Sequence, residues 1–373
     1  MAKCRAWVIH EPGKIVMEEF ELPKVAEDGA LLKVEACGIC GTDKHIYLGH
    51  FPTDQYPFIM GHEFIGTIVE LGSRANETMA VFGGTLQVGD RVAVAPSSMG
   101  CGYCYFCLHS PHRQALCSNR SMIYGFISTR KAPGLWGGYS EYVYIVPRSY
   151  VFKLPKDMPM KRAILTEPGA TGLRAVDRAL NTGEPFLSQG LSVGRSVMVL
   201  GAGPIGLLII SAFRYSGAGL IISQDLFPSR LNMAKRLGAD LLIDGNLPFA
   251  ARLEQVRQAT DGVGPDIVVE AAGSPAAFRE ALDFTRRGGK LIEAGNFTDA
   301  GPVEIKPFAI CFQDLDILGC RYSPLLFKDV ISMHQRTWLP VEEVVTHVFP
   351  LEELPKALEV TGSKDAGKVV ITP

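Results

Sequence analysis

Four of the nine cysteines in this 373-residue chain crowd into the stretch GCGYCYFCLHSPHRQALC, from Gly100 to Cys117. Cys101, Cys104 and Cys107 follow at C-x2-C-x2-C spacing, and Cys117 closes the run after a gap of nine residues. That spacing suits thiolates converging on one metal ion, and four thiolates complete a tetrahedral zinc shell with no position left for a substrate. Such a site shapes a loop rather than performing a reaction. The gap also offers His109 and His112 as substitute ligands, with Cys117 the preferred fourth. The competing reading is a loop that keeps its cysteines and holds no metal.

A second group is looser in sequence. CGICGTDKHIY runs from Cys37 to Tyr47, MGHEFIG from Met60 to Gly66, and TEPGATG carries Glu167. Alone, Cys40 reads as a small buried residue and His62 as a core histidine. Together with Glu63 and Glu167 they supply a thiolate, an imidazole and a carboxylate, a zinc ligand set that leaves a coordination position open. A third pattern is VMVLGAGPIGLLII, in which Gly201, Gly203 and Gly206 form G-x-G-x-x-G around Pro204 and Ile205. It follows an apolar strand and opens a helix, the context of a dinucleotide phosphate turn. LIISQD then ends in Asp225, nineteen residues after Gly206, where a carboxylate binds ribose hydroxyls and repels a 2′-phosphate. This favours NAD over NADP. Arg230 reads three ways: a ribose contact, a phosphate contact if NADP binds, or a solvated helix residue.

The elements that must carry these residues are legible in outline. LLKVEAC, FIGTIVELG, DRVAVAP and YSEYVYIVP are short β-type runs punctuated by glycine and proline. After about residue 161, apolar strands alternate with helical stretches such as PSRLNMAKRLGA, which predicts βαβ units and a parallel sheet. Eighteen residues from Ser196 to Phe213 lack charge, but the GAGPIG turn interrupts them and argues strand, turn and helix rather than a membrane span. Length suits two domains. With 47% hydrophobic residues, 20% charged and a formal charge of −2, composition fits a globular chain and gives no basis for nucleic-acid or membrane partners. The first residues show no apolar secretory segment, so a reducing cytoplasmic setting is expected, where clustered cysteines bind metal rather than pair.

Taken in order, GICGTD, GHE, the four-cysteine lobe, EP, GAGPIG and the terminal GKVVI make the chain resemble the zinc-containing medium-chain alcohol dehydrogenases, nearly end to end. The polyol and threonine dehydrogenase branch is the nearer one, because Glu167 stands where the liver-type branch has cysteine. The resemblance implies an α/β architecture: a GroES-like catalytic domain over 1–177 with a zinc lobe at 100–117, a Rossmann domain over 178–322, and a return to the first domain over 323–373. It implies a catalytic zinc on Cys40, His62 and either Glu63 or Glu167, and a structural zinc on Cys101, Cys104, Cys107 and Cys117, although the family's last gap is usually seven residues. It makes Thr42 the acceptor of the alcohol proton, His45 its relay and Asp43 the group that orients His62.

The implied reaction moves a hydride between a secondary alcohol and NAD, or back from a ketone. A polyol, an amino alcohol or a cyclic alcohol all fit, with Tyr47, His50, Phe51 and Trp136 as candidate pocket residues. A homodimer or homotetramer is implied. The contrasting reading is a zinc-stabilised NAD(P)-binding sensor without turnover. SRANETMAVFGGTLQ and NTGEPFLSQGLS read as altered surface loops.

Overall fold

The computed structural model describes residues 3–111, 113–120, 122–180, 191–295 and 298–373. Two compact units share the chain: Met1–Glu167 with Ser323–Gln335 and Val345–Pro373, and Pro168–Tyr322 with Arg336–Val344. The break after Glu167 falls inside the helix Thr166–Ala179, upstream of the expected boundary at 177. The returning segment is also divided, because 336–344 groups with the second unit.

The first unit is β-rich. Its eight-stranded sheet centres on Ala30–Ile39, whose residues are nearly all buried because strands lie on both sides and side chains pack on both faces. Glu63–Leu71 pairs with it antiparallel, placing Gly38 opposite Glu63. On its other edge Lys368–Thr372 pairs antiparallel, and Val345–Pro350 lies parallel to that strand. Apolar side chains including Phe64, Tyr124, Trp136 and Tyr139 fill the core beneath. The 73–87 segment does more than form a loop. It contains the helix Ala75–Thr78 and the strand Ala80–Phe82, which pairs with Tyr150–Lys153 while Phe82 stacks on Phe152 at 4.6 Å.

The second unit holds six parallel strands in the order Leu241–Asp244, Leu220–Asp225, Ser196–Leu200, Ile267–Glu270, Lys290–Glu293 and Asp316–Gly319. In chain order this is 3-2-1-4-5-6, the doubly wound arrangement whose ligands bind beyond the carboxyl ends of the strands. Met198, Leu200, Ile222, Val268 and Leu291 form part of its core. The uncharged run divides into the strand Ser196–Leu200 and the helix Pro204–Tyr215. Among the described residues no helix is long and apolar enough to cross a membrane.

Candidate active site and metal centres

The donor atoms of Cys40, His62 and Glu63 lie within 4.8 Å of one another in the first unit. Cys40 caps the helix Gly41–Tyr47, and its N–H donates to Asp43 Oδ2 at 2.9 Å. The Tyr139 hydroxyl donates to the same oxygen at 2.8 Å, which fixes the fully buried carboxylate. Its other oxygen sits 3.4 Å from His62 Nδ1. With that nitrogen turned to Asp43, Nε2 is left for a cation. Zinc arms of about 2.0–2.3 Å need donors roughly 3.3–3.8 Å apart, so the cluster can close on an ion with small side-chain shifts. The local field agrees. Burial pushes His62 down, but Asp43 and Cys40 more than reverse this and hold it well above its ordinary value. A positive charge is favoured here, and the residues present fit zinc.

Glu63 is placed by two features. Gly38 stands opposite it, and a Cβ there would collide with Glu63 Oε2, so the glycine makes room for the carboxylate. Lys368 reaches in from the C-terminal strand, with Nζ 2.7 Å from both carboxylate oxygens. Both side chains are buried. Glu167 lies outside the 4.8 Å group, in the first turn of Thr166–Ala179. Burial, followed by the Glu63 charge, pushes its carboxyl up to about 7. Thr42 Oγ1 is 3.6 Å from Cys40 Sγ, and burial together with His50 lowers the His45 pKa.

In the lobe, Cys101, Cys104, Cys107 and Cys117 converge despite the nine-residue gap. Cys101 Sγ is 4.0 Å from Cys107 Sγ, and Cys104 Sγ is 4.0 Å from Cys117 Sγ. A tetrahedral zinc with Zn–S of about 2.3 Å has S···S edges of about 3.8 Å. The match is close, and 4.0 Å is far too long for a disulfide. Backbone N–H groups already face the sulfurs: Cys101 donates to Cys117 Sγ and Cys104 to Cys101 Sγ, at 3.2 and 3.3 Å. Donors from Ser118 and Cys107 bring the Cys104 thiol down to about 6. His109 instead packs its ring on Tyr105 at 4.6 Å, and His112 lies outside the described residues.

The glycine turn of the second unit divides its tasks by position. Gly201 has φ +94° and its Cβ would come 2.7 Å from Ala272 N. A Cβ on Gly206 would strike Gly201 O, whereas one on Gly203 would meet nothing within 4 Å. Two glycines therefore permit close packing, and the third keeps the approach open where phosphate would sit. Gly203 caps the helix that begins at Pro204 and Ile205, so the positive end of that helix faces the same space. Asp225 Oδ2 accepts from Ala202 N at 2.7 Å and Oδ1 from Phe227 N at 2.9 Å. Arg230 Nη1 lies 4.0 Å from that carboxylate, and its guanidinium covers the Phe227 ring.

Residues 26–156 match the family model described as alcohol dehydrogenase GroES-like domain, and residues 204–336 match that of zinc-binding dehydrogenase. An erythritol/L-threitol dehydrogenase of Mycolicibacterium smegmatis is 32% identical over 100% of this chain and 98% of its own. The chain belongs to the zinc-binding alcohol dehydrogenase family. An L-threonine 3-dehydrogenase of Thermococcus kodakarensis is 32% identical over 95% of this chain and 93% of its own. The crystal structure of an alcohol dehydrogenase from Thermotoga maritima has a TM-score of 0.90 at 29% identity, covering 100% of both chains.

Within this zinc-binding alcohol dehydrogenase the candidate pocket residues separate. Trp136 is a core residue: it is buried, its Nε1 donates to Lys131 O at 2.8 Å, and its ring meets Tyr144 edge-on. Tyr47 and Phe51 are half-buried against the core, and His50 is exposed with its ring 5.7 Å from His45. Most of the NTGEPFLSQGLS stretch lies outside the described residues. Sequence reasoning missed Lys368, Tyr139 and Phe126. The lysine stood within the quoted GKVVI motif, but no spacing tied it to Glu63. Phe126 carried no signal, although its ring lies 5.4 Å from that of His62.

Proposed function

We propose that the chain oxidises a secondary alcohol to a ketone with NAD, using a zinc ion held by Cys40, His62 and Glu63 and a second zinc in the four-cysteine lobe. The observation that carries this reading is the convergence of one sulfur, one imidazole and one carboxylate within 4.8 Å, beside a buried aspartate that turns the imidazole outward. Three protein donors leave a coordination position for substrate, whereas the lobe's four do not. A zinc ion there supplies Lewis acidity toward a bound hydroxyl, and the oxidised nicotinamide supplies a hydride acceptor.

The chain's own residues do the rest. Asp43 holds the His62 tautomer, Thr42 beside Cys40 takes the substrate's hydroxyl proton, and His45 relays it to solvent. His45 suits that task because burial and His50 keep it neutral and able to accept. Glu167, with its carboxyl at about 7, is the reserve carboxylate that replaces Glu63 or holds a water. Gly201, Gly203 and Gly206 let the pyrophosphate approach, and Asp225 selects NAD against NADP by repelling a 2′-phosphate. Arg230, close to that carboxylate, balances part of its charge. A reducing, cytoplasmic setting, where clustered cysteines bind metal rather than pair, and a homodimer or homotetramer are the expected context and assembly. The test is reduced-cofactor absorbance with a panel of secondary alcohols before chelation, after it, and after zinc is restored. Turnover should vanish and return; turnover that survives complete metal removal refutes the reading.

A further inference from the structure

Phe126 lies against His62 with ring centroids 5.4 Å apart and planes tilted by 40°. Phe51 lies against Phe126 in turn, at 6.1 Å and 52°. Both phenylalanines are only half-buried where they pack on the core of the first unit. Polar side chains also touch the Cys40, His62 and Glu63 cluster: Thr42 beside Cys40, Asp43 beside His62 and Lys368 on Glu63. The cluster is thus flanked both by oxygen- and proton-handling groups and, at His62, by two adjoining aromatic rings.

We infer that Phe126, backed by Phe51, is the specificity-determining wall for the carbon flank of the substrate, and that the substrate is a compact apolar secondary alcohol, cyclic or branched, rather than a polyol. This rests on the reading of Cys40, His62 and Glu63 as the catalytic metal centre. A polyol carries a hydroxyl on the carbon beside the reacting one. Pressed against a phenyl ring, that hydroxyl gives up water and finds no partner. A hydrocarbon ring in the same place gains by leaving water and packing on the aromatic face. An apolar pocket disfavours a ligand with one added hydroxyl by about 100-fold.

The test compares cyclohexanol, the corresponding vicinal cyclohexanediol and erythritol as substrates with NAD. The same alcohols are also titrated into cobalt-substituted protein, whose visible absorption reports binding without turnover. The native enzyme should prefer cyclohexanol to the diol by about 100-fold in kcat/KM and bind it more tightly in the cobalt titration. Phe126→Thr should reduce that ratio by about tenfold or more, through KM rather than kcat, with metal content and the cobalt spectrum unchanged. Phe126→Leu should keep the preference. Should the threonine variant fail to fold, Phe51→Ala probes the same wall and should lower the ratio in the same direction. Metal-dependent turnover that favours erythritol or the diol, or a ratio unmoved in a folded, metal-loaded variant, overturns this inference alone. Absence of metal-dependent turnover with every alcohol overturns the metal-centre reading beneath it.

Discussion

Replacing Lys368 by methionine should weaken the metal-free protein far more than the metal-loaded one. Lys368 Nζ sits 2.7 Å from both Glu63 oxygens and 3.2 Å from Ile39 O, and the two side chains are 3% and 1% exposed. Burial alone would lower the lysine pKa, but Glu63 holds it above the ordinary value, so the lysine carries its charge. Methionine keeps an unbranched stem and removes the charge, leaving Glu63 buried without a cation. Removing one partner of a buried pair costs about 3–5 kcal/mol. A divalent ion beside Glu63 supplies the missing compensation, and it also escapes the repulsion of a neighbouring ammonium. Metal binding should therefore tighten by about 10- to 100-fold, or about 1.4–2.7 kcal/mol. Zinc competition against a chromophoric chelator measures this directly, and denaturant midpoints with and without zinc provide the stability half. Equal losses of stability in both states, or weaker zinc binding in Lys368→Met, would refute the idea that lysine and metal compete for one carboxylate.

The buried His334 predicts acid lability. Neither ring nitrogen has a hydrogen-bond partner among the described residues, and burial, reinforced by the Arg162 charge, takes its pKa down to about 4. The native state thus stays unprotonated while the unfolded chain gains a proton below about 6.5, so stability is full above that pH and falls by about 3 kcal/mol as pH drops toward 4. Denaturant unfolding across this window should show the loss, and His334→Leu should flatten it; an equal slope in the variant would refute the assignment. Cys117→Ser should release one zinc per chain and open the 100–117 lobe to protease while leaving the Cys40 centre loaded, as read by metal analysis and mass mapping of cleavage sites. Asp225→Ser should raise the NADP-to-NAD ratio of kcat/KM by about tenfold or more, by removing a charge that repels a 2′-phosphate. It should also cost about 1 kcal/mol of stability, because Ala202 N–H loses its acceptor.

What the sequence made visible was local. The C-x2-C-x2-C run and the GAGPIG turn hold their groups within a few bonds of one another, so residue type and spacing nearly determine what they can grip. The parallel sheet was visible for a similar reason, since buried strands write continuous apolar runs between helical ones. Cys40, His62 and Glu63 became a cluster in the sequence only through motif order; in the protein they meet because Ala30–Ile39 pairs with Glu63–Leu71 and Gly38 vacates the space opposite Glu63. Tertiary structure alone decided that Lys368 takes both oxygens of a carboxylate 305 residues away, that Glu167 stands outside the close group, and that Trp136 packs in the core while Phe126 lies against His62. It also made 80–82 an edge strand rather than loop. Long-range pairing and side-chain direction depend on which surfaces remain after the core is filled, and no short window of sequence contains that information.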